Sequence, residues 1–102
     1  MKNLSQFKKR IQVGIELETI HVRMGSYGIR KVTKVQTNGM YLESKIKNGR
    51  ITTDNDYDEI ANSWIDFPSA KDFEIVDEDT CRVYWGEGDA REHVLTYKFV
   101  KK

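Results

Sequence analysis

The stretch Ile29–Ile46, IRKVTKVQTNGMYLESKI, decides the fold. Asn38-Gly39 stands between two strand-like runs. A two-residue type I′ turn needs positive φ at both central positions, and Asn-Gly tolerates that best, so the pair predicts a β-hairpin. After the turn, Met40, Leu42 and Ile46 alternate with Tyr41, Glu43 and Lys45, the period of a half-buried strand. Before it, Val32 and Val35 are three apart, which breaks the alternation and predicts a bulge.

Working outward, the same signals recur. Upstream, Asn3 can cap a short helix over 4–11 with Gln6 reaching back. Leu4, Phe7 and Ile11 then share one face, and Lys8, Lys9 and Arg10 suit the negative end of its dipole. Gln12 to Arg23 reads as a strand in which Val13, Ile15 and Leu17 alternate with Gly14, Glu16 and Glu18. The apolar set then switches to Ile20 and Val22, which predicts a second bulge or bend. Met24–Gly28 reads as a loop presenting Tyr27. Downstream, Lys47-Asn48-Gly49-Arg50 is another turn signal, and residues 51–59 form a polar loop. Ser63–Phe67 is a short strand ended by Pro68, with one 3₁₀ turn over Ser69–Asp72. Phe73–Val76 is extended, Asp77-Glu78-Asp79 turns the chain, and Cys81, Val83 and Trp85 alternate with Arg82 and Tyr84. Gly86–Asp89 turns again, and Leu95, Tyr97 and Phe99 alternate in the last strand.

Six or seven short strands joined by Gly- and Asn-rich turns, with one N-terminal helix, predict a mainly β domain. The expected architecture is a small SH3-like or related antiparallel barrel. Basic strands fill 12–46 and the acidic-half strands fill 60–100. Trp64, Trp85, Leu17, Leu42, Val83, Leu95 and Phe99 are the expected core.

The length of 102 residues fits one domain, which buries roughly 65% of its unfolded surface. Charged residues make up 32%, but five Tyr, four Phe, Trp64 and Trp85 exclude a disordered chain. Cys81 is the only cysteine, so no disulfide framework exists and a reducing, cytoplasmic compartment is expected. No apolar leader follows Met1 and no 18-residue apolar run occurs, so neither a signal peptide nor a membrane span is expected.

The net charge of +1 conceals a division. Residues 1–50 carry eleven Lys or Arg and three acids, a net of +8. Residues 51–102 carry six bases and thirteen acids, a net of −7. Such asymmetry points to a charged partner, unless the two halves neutralise each other within one fold.

No motif supports catalysis, and no cofactor or metal is expected. His21 and His93 each sit in a predicted strand with no ligand beside them, and Cys81 alternates with Val83 as a small buried hydrophobe. Asp54, Asp56 and Asp58 have the first spacings of a calcium loop. The motif then fails, because Glu59 stands where Gly is needed and Ile65 where the bidentate Glu belongs. The chain therefore reads as a non-enzymatic binding module.

Two partner classes follow from the charges. In the basic half, Arg23, Tyr27, Arg30, Lys31, Lys34, Tyr41 and Lys45 interleave cations with aromatic rings, the pattern that neutralises phosphates and stacks on bases of nucleic acid. In the acidic half, Asp54, Asp56, Asp58 and Glu59 with Asp77, Glu78 and Asp79 suit a basic groove on a host protein, as a charge-mimicking inhibitor does.

The runs KKRIQVG (Lys8–Gly14), SWIDFPSAKDFEI (Ser63–Ile75) and LTYKFV (Leu95–Val100) give the chain a resemblance to small uncharacterised proteins encoded by phages and prophages of Gram-positive bacteria. The resemblance carries no residue-level activity. It implies a cytoplasmic accessory protein that acts on host nucleic acid or a host protein.

Overall fold

A computed structural model describes residues 1–22, 26–52 and 54–100. One short helix, α1 (Leu4–Arg10), precedes eight strands: β1 (Glu16–His21), β2 (Ser26–Gln36), β3 (Gly39–Lys47), β4 (Arg50–Ile51), β5 (Glu59–Asp66), β6 (Phe73–Ile75), β7 (Thr80–Trp85) and β8 (Glu92–Phe99). All pair antiparallel in one sheet. The path runs β3-β2-β1-β8-β7-β6, with β5 and the two-residue β4 both added to β3. The sheet is open.

The bulge in the central hairpin is where the spacing of Val32 and Val35 puts it. Register shifts between Val32 and Lys34, and Thr33 is the extra residue. The turn itself differs. Gln36 pairs with Gly39, so Thr37 and Asn38 are the loop, and neither Asn38 nor Gly39 has positive φ. Gly39 serves another need: a Cβ there would lie 2.5 Å from the carbonyl oxygen of Ile65 and 2.5 Å from Cζ2 of Trp64, so only Gly lets β5 approach. The left-handed Asn-Gly pair is the second one, Asn48 (φ 53°) and Gly49 (φ 77°), which joins β3 to β4.

Helix α1 is short enough to need its packing. The Asn3 side chain accepts from the Gln6 N–H, and Gln6 Oε1 accepts from the Lys2 N–H rather than from that of Asn3, one residue beyond the expected reciprocal bond. The helix ends at Arg10, with Ile11 as its C-cap. Phe7 is completely buried. Its ring meets Phe73 at 5.3 Å, Tyr97 at 5.7 Å, Phe99 at 5.8 Å and Phe67 at 6.3 Å between centroids. One aromatic plug thus holds α1 on the concave face, with Leu17, Val32, Met40, Leu42, Cys81, Val83, Val94 and Leu95 completing the core.

Four expectations fail here. The strand over 12–23 starts only at Glu16, since Gly14 has φ +97° and Val13 is two-thirds exposed. The apolar switch to Ile20 and Val22 is not a bulge: β1 pairs without a shift, Thr19 faces inward, and its hydroxyl donates to the Gly28 carbonyl at 3.2 Å. That bond removes the cost of a buried hydroxyl and leaves Ile20 and Val22 outside. Tyr27 belongs to β2 rather than to a loop. Finally, Trp64 and Trp85 are not core residues. Trp64 stands opposite Tyr41 on the outer face. Trp85 is 60% exposed, because it ends β7 past a register shift, paired with the first residue of β8, where the open sheet leaves nothing over it.

Candidate functional site

The basic and acidic halves of the chain meet at two places on the fold. Lys47 Nζ lies 2.8 Å from Asp56, the Asn48 N–H donates to Asp58 at 2.9 Å, and Lys45 bonds Asn55 Oδ1 at 3.3 Å with its ammonium 5.4 Å from the Tyr57 ring centroid. Residues 55–58 are therefore tied back onto the β3–β4 hairpin, and Asp56 and Asp58 point to different partners. No group of three or more His, Cys, Asp or Glu side chains suited to a metal occurs among the described residues. At the other end, Arg10 stacks 3.9 Å from the Phe99 ring centroid, pairs with Asp79 at 3.0 Å and donates to the Glu78 carbonyl at 2.7 Å. The Asp79 N–H and the Thr80 hydroxyl, both donating to it, hold the Asp77 carboxyl below its ordinary range.

The six described residues of the basic set do not share a face. Arg23 lies outside the described residues. Arg30 is half-buried opposite the fully buried Leu17, its Nε has no hydrogen-bond partner, and burial lowers its pKa. Lys31 sits in a cross-strand row between Glu16 and Glu43. Arg30, Lys31 and Lys45 line a shallow dish of about 310 Å³ with mixed charge. The Tyr27 hydroxyl donates to the Glu18 carboxylate, which raises the Tyr27 pKa. Lys34 and Tyr41 form a separate pair, opposite each other on β2 and β3. Trp64 extends that row across β5, edge-on to Tyr41 at 5.0 Å between centroids. The Lys34–Tyr41–Trp64 row joins two expected residues to one assigned to the core.

A second feature has no counterpart in the sequence patterns. Where the open sheet curls, the C-terminal end of β5 comes opposite β7 and β8, leaving a mouth of about 400 Å³. Trp64, Ile65, Asp66 and Phe67 form one wall, and Val83, Trp85 and Val94 the other. His21 and Tyr97 also line it. Cavities of this volume, mostly apolar with a few polar groups, are ordinary binding sites. Among the described residues no Lys or Arg lines the mouth, and Asp66 is the one carboxylate; its Oδ1 accepts from the Trp64 indole N–H at 2.9 Å. Trp85 at the rim is the largest exposed apolar side chain among the described residues. The signal in the sequence is Trp85 itself, whose alternation with Cys81 and Val83 predicts a core position.

Three buried polar atoms have no hydrogen-bond partner: His21 Nδ1 and the Tyr97 hydroxyl, on residues that line the mouth, and Arg30 Nε, on a residue that lines the dish. Burial raises the pKa of Tyr97, and Arg30 opposes that rise. Burial also pushes the Cys81 thiol up to about 12, so Cys81 is an inert core residue. No helix among the described residues is long and apolar enough to cross a membrane.

No family model, no curated protein and no solved structure matches this chain.

Proposed function

We propose that the protein is a non-enzymatic binding module whose partner is another protein, held at the mouth between β5 and β7–β8. The observation that carries this reading is the exposure of Trp85, 60%, at the rim of a mostly apolar cavity lined, among the described residues, by no cation. Exposed aromatic anchors beside a pocket are the usual centre of a protein interface. Nucleic acid, by contrast, requires Lys or Arg at the contact to release counterions. The acids Asp54, Asp58 and Glu59, near the start of β5, add a charge that favours a basic partner. The run from Ser63 to Ile75, a strand, a proline, a 3₁₀ turn and a strand, supports an SH3-like reading of the incompletely closed sheet. The resemblance to phage-encoded proteins supports a cytoplasmic host factor as the partner.

A second reading rests on the Lys34–Tyr41–Trp64 row, a cation with two rings on the outer face. That is the minimal platform for a single-stranded nucleic acid.

One comparison separates the two. Wild type, Trp85→Ala and Lys34→Ala/Tyr41→Ala are immobilised and exposed to bacterial lysate, and the same three are titrated with a labelled single-stranded oligonucleotide at low salt. The protein reading predicts specific capture that is lost in Trp85→Ala and kept in the double variant, with no oligonucleotide binding at micromolar protein. Oligonucleotide binding that is lost only in the double variant overturns it.

A further inference from the structure

We infer that β5 is a docking edge to which a partner protein adds an extended strand with an apolar centre and basic ends. The inference rests on the mouth reading and names the mode of contact there.

Strand β5 pairs with β3 along its whole length, from Glu59 opposite Ile46 to Asp66 opposite Gly39, without a register shift. Among the described residues no strand pairs its other edge. In an eight-residue antiparallel edge, every second residue turns its N–H and C=O outward, so a row of backbone donors and acceptors faces solvent. Natural edges are blunted by brevity, bulges, proline or lysine. The other end of the sheet obeys this rule: β6 has three residues. β5 does not. It is long and regular, and it contains no Lys, Arg or Pro.

Its charges are reversed from those of a protected edge. Glu59 and Asp66 bound it, with Asp58 just before, and everything between is uncharged. This arrangement selects among occupants. A second copy of the chain pairing full-length and antiparallel would set Glu59 opposite Asp66 twice, and like charges directly opposite are destabilising. A strand ending in Lys or Arg would gain the same two contacts as attractions.

The side chains give the centre of the strand its character. Residues of β5 opposite the inward-facing Met40, Leu42 and Ser44 are Ile65, Ser63 and Ala61. Ser63 and Ala61 are small and leave room on the concave side. An added strand alternates its side chains, so a residue beside Ser63 or Ile65 enters the mouth, toward Val83 and Trp85. The docked segment thus places one apolar or aromatic side chain in the mouth while its backbone extends the sheet.

The test uses a heptapeptide array in which the five central positions alternate β-branched and aromatic residues, and the flanks are Lys in one set and Glu in the other. The full-length protein is titrated against both. Lysine-flanked peptides are expected to bind at least tenfold more tightly than their glutamate-flanked twins, and binding should weaken with salt. Ser63→Lys, which aims a charge inward at the edge, is expected to abolish binding while keeping the wild-type melt. Hydrogen exchange on the wild-type protein provides an independent readout: bound peptide should slow the backbone amides of residues 60–66. Unchanged exchange there, equal binding of the two peptide sets, no binding to any peptide, or concentration-dependent dimers that Ser63→Lys dissolves would each overturn the inference. If Trp85→Ala loses partner capture but Ser63→Lys keeps it, the mouth reading stands and strand addition falls. If neither variant changes capture, both fall.

Discussion

Gly39 and Trp64 touch across the β3–β5 pair, and the indole occupies the space that any Cβ at position 39 would need. The packing of the edge strand therefore depends on the absence of one side chain. Gly39→Ala should destabilise by roughly 1–3 kcal/mol through overpacking, and Gly39→Val by more. Chemical denaturation measures it. Gly49→Ala should cost about 1 kcal/mol for a different reason, because its φ of +77° is left-handed although the space around it is open. Adding Trp64→Ala to Gly39→Ala should recover part of the first loss and none of the second.

Those two glycines show how far the sequence could be read. Both follow Asn between strand-like runs, and local chemistry cannot say which turn is left-handed. The choice is made by β5, a neighbour distant in sequence, which lies over Gly39 and leaves Gly49 free. The Thr33 bulge was legible because alternation reports on a single strand. So were α1, the 3₁₀ turn after Pro68 and the inward set Leu42, Val83, Leu95 and Phe99. The position of Trp85 was not legible, because an open sheet leaves an inward-patterned residue uncovered at its mouth, nor was that of Trp64, because β3 sets Ile65 opposite the buried Met40 and turns Trp64 outward. For the site, the bases and acids could be counted, but not that Lys47 meets Asp56 or that Arg10 meets Asp79. Pairing between halves depends on the path of the sheet.

Phe7 is the residue on which the helix and the aromatic rings of the sheet converge. Phe7→Ala should destabilise by about 3–5 kcal/mol, a large part of the stability of a small domain. Trp85→Ala should change stability by no more than about 0.5 kcal/mol, as surface substitutions do. Equal losses in thermal melts would place Trp85 in the core and remove the mouth as a binding face.

Arg10 links α1 to the turn before β7 through an ion pair, a bond to the Glu78 carbonyl and a ring contact. Arg10→Ala should cost roughly 1–3 kcal/mol, as for hydrogen bonds to charged groups. Arg10→Lys should recover only part, since an ammonium lacks the planar fork. Urea titrations of the three proteins give the order.

Alkaline pH should unfold the protein. Cys81 titrates at about 12 in the fold against 9.0 for an unperturbed thiol, and Tyr97 is also raised above its ordinary value. Both groups favour the neutral form in the fold, so their contribution is whole below about pH 9. It is lost as pH rises toward about 12. Cys81→Ala should flatten part of that decline. At pH 8, iodoacetamide should leave native Cys81 unmodified and react after denaturation.

Recognition at the mouth bounded by β5 and Trp85 should be visible residue by residue. The direct measurement is a backbone and indole ¹H–¹⁵N spectrum recorded during titration with the tightest-binding lysine-flanked peptide. Shifts should concentrate in residues 59–66 and 83–85 and at the indole N–H groups of Trp64 and Trp85. Shifts confined to Arg30, Lys31 and Lys34 on β2, with both indoles unmoved, would contradict it.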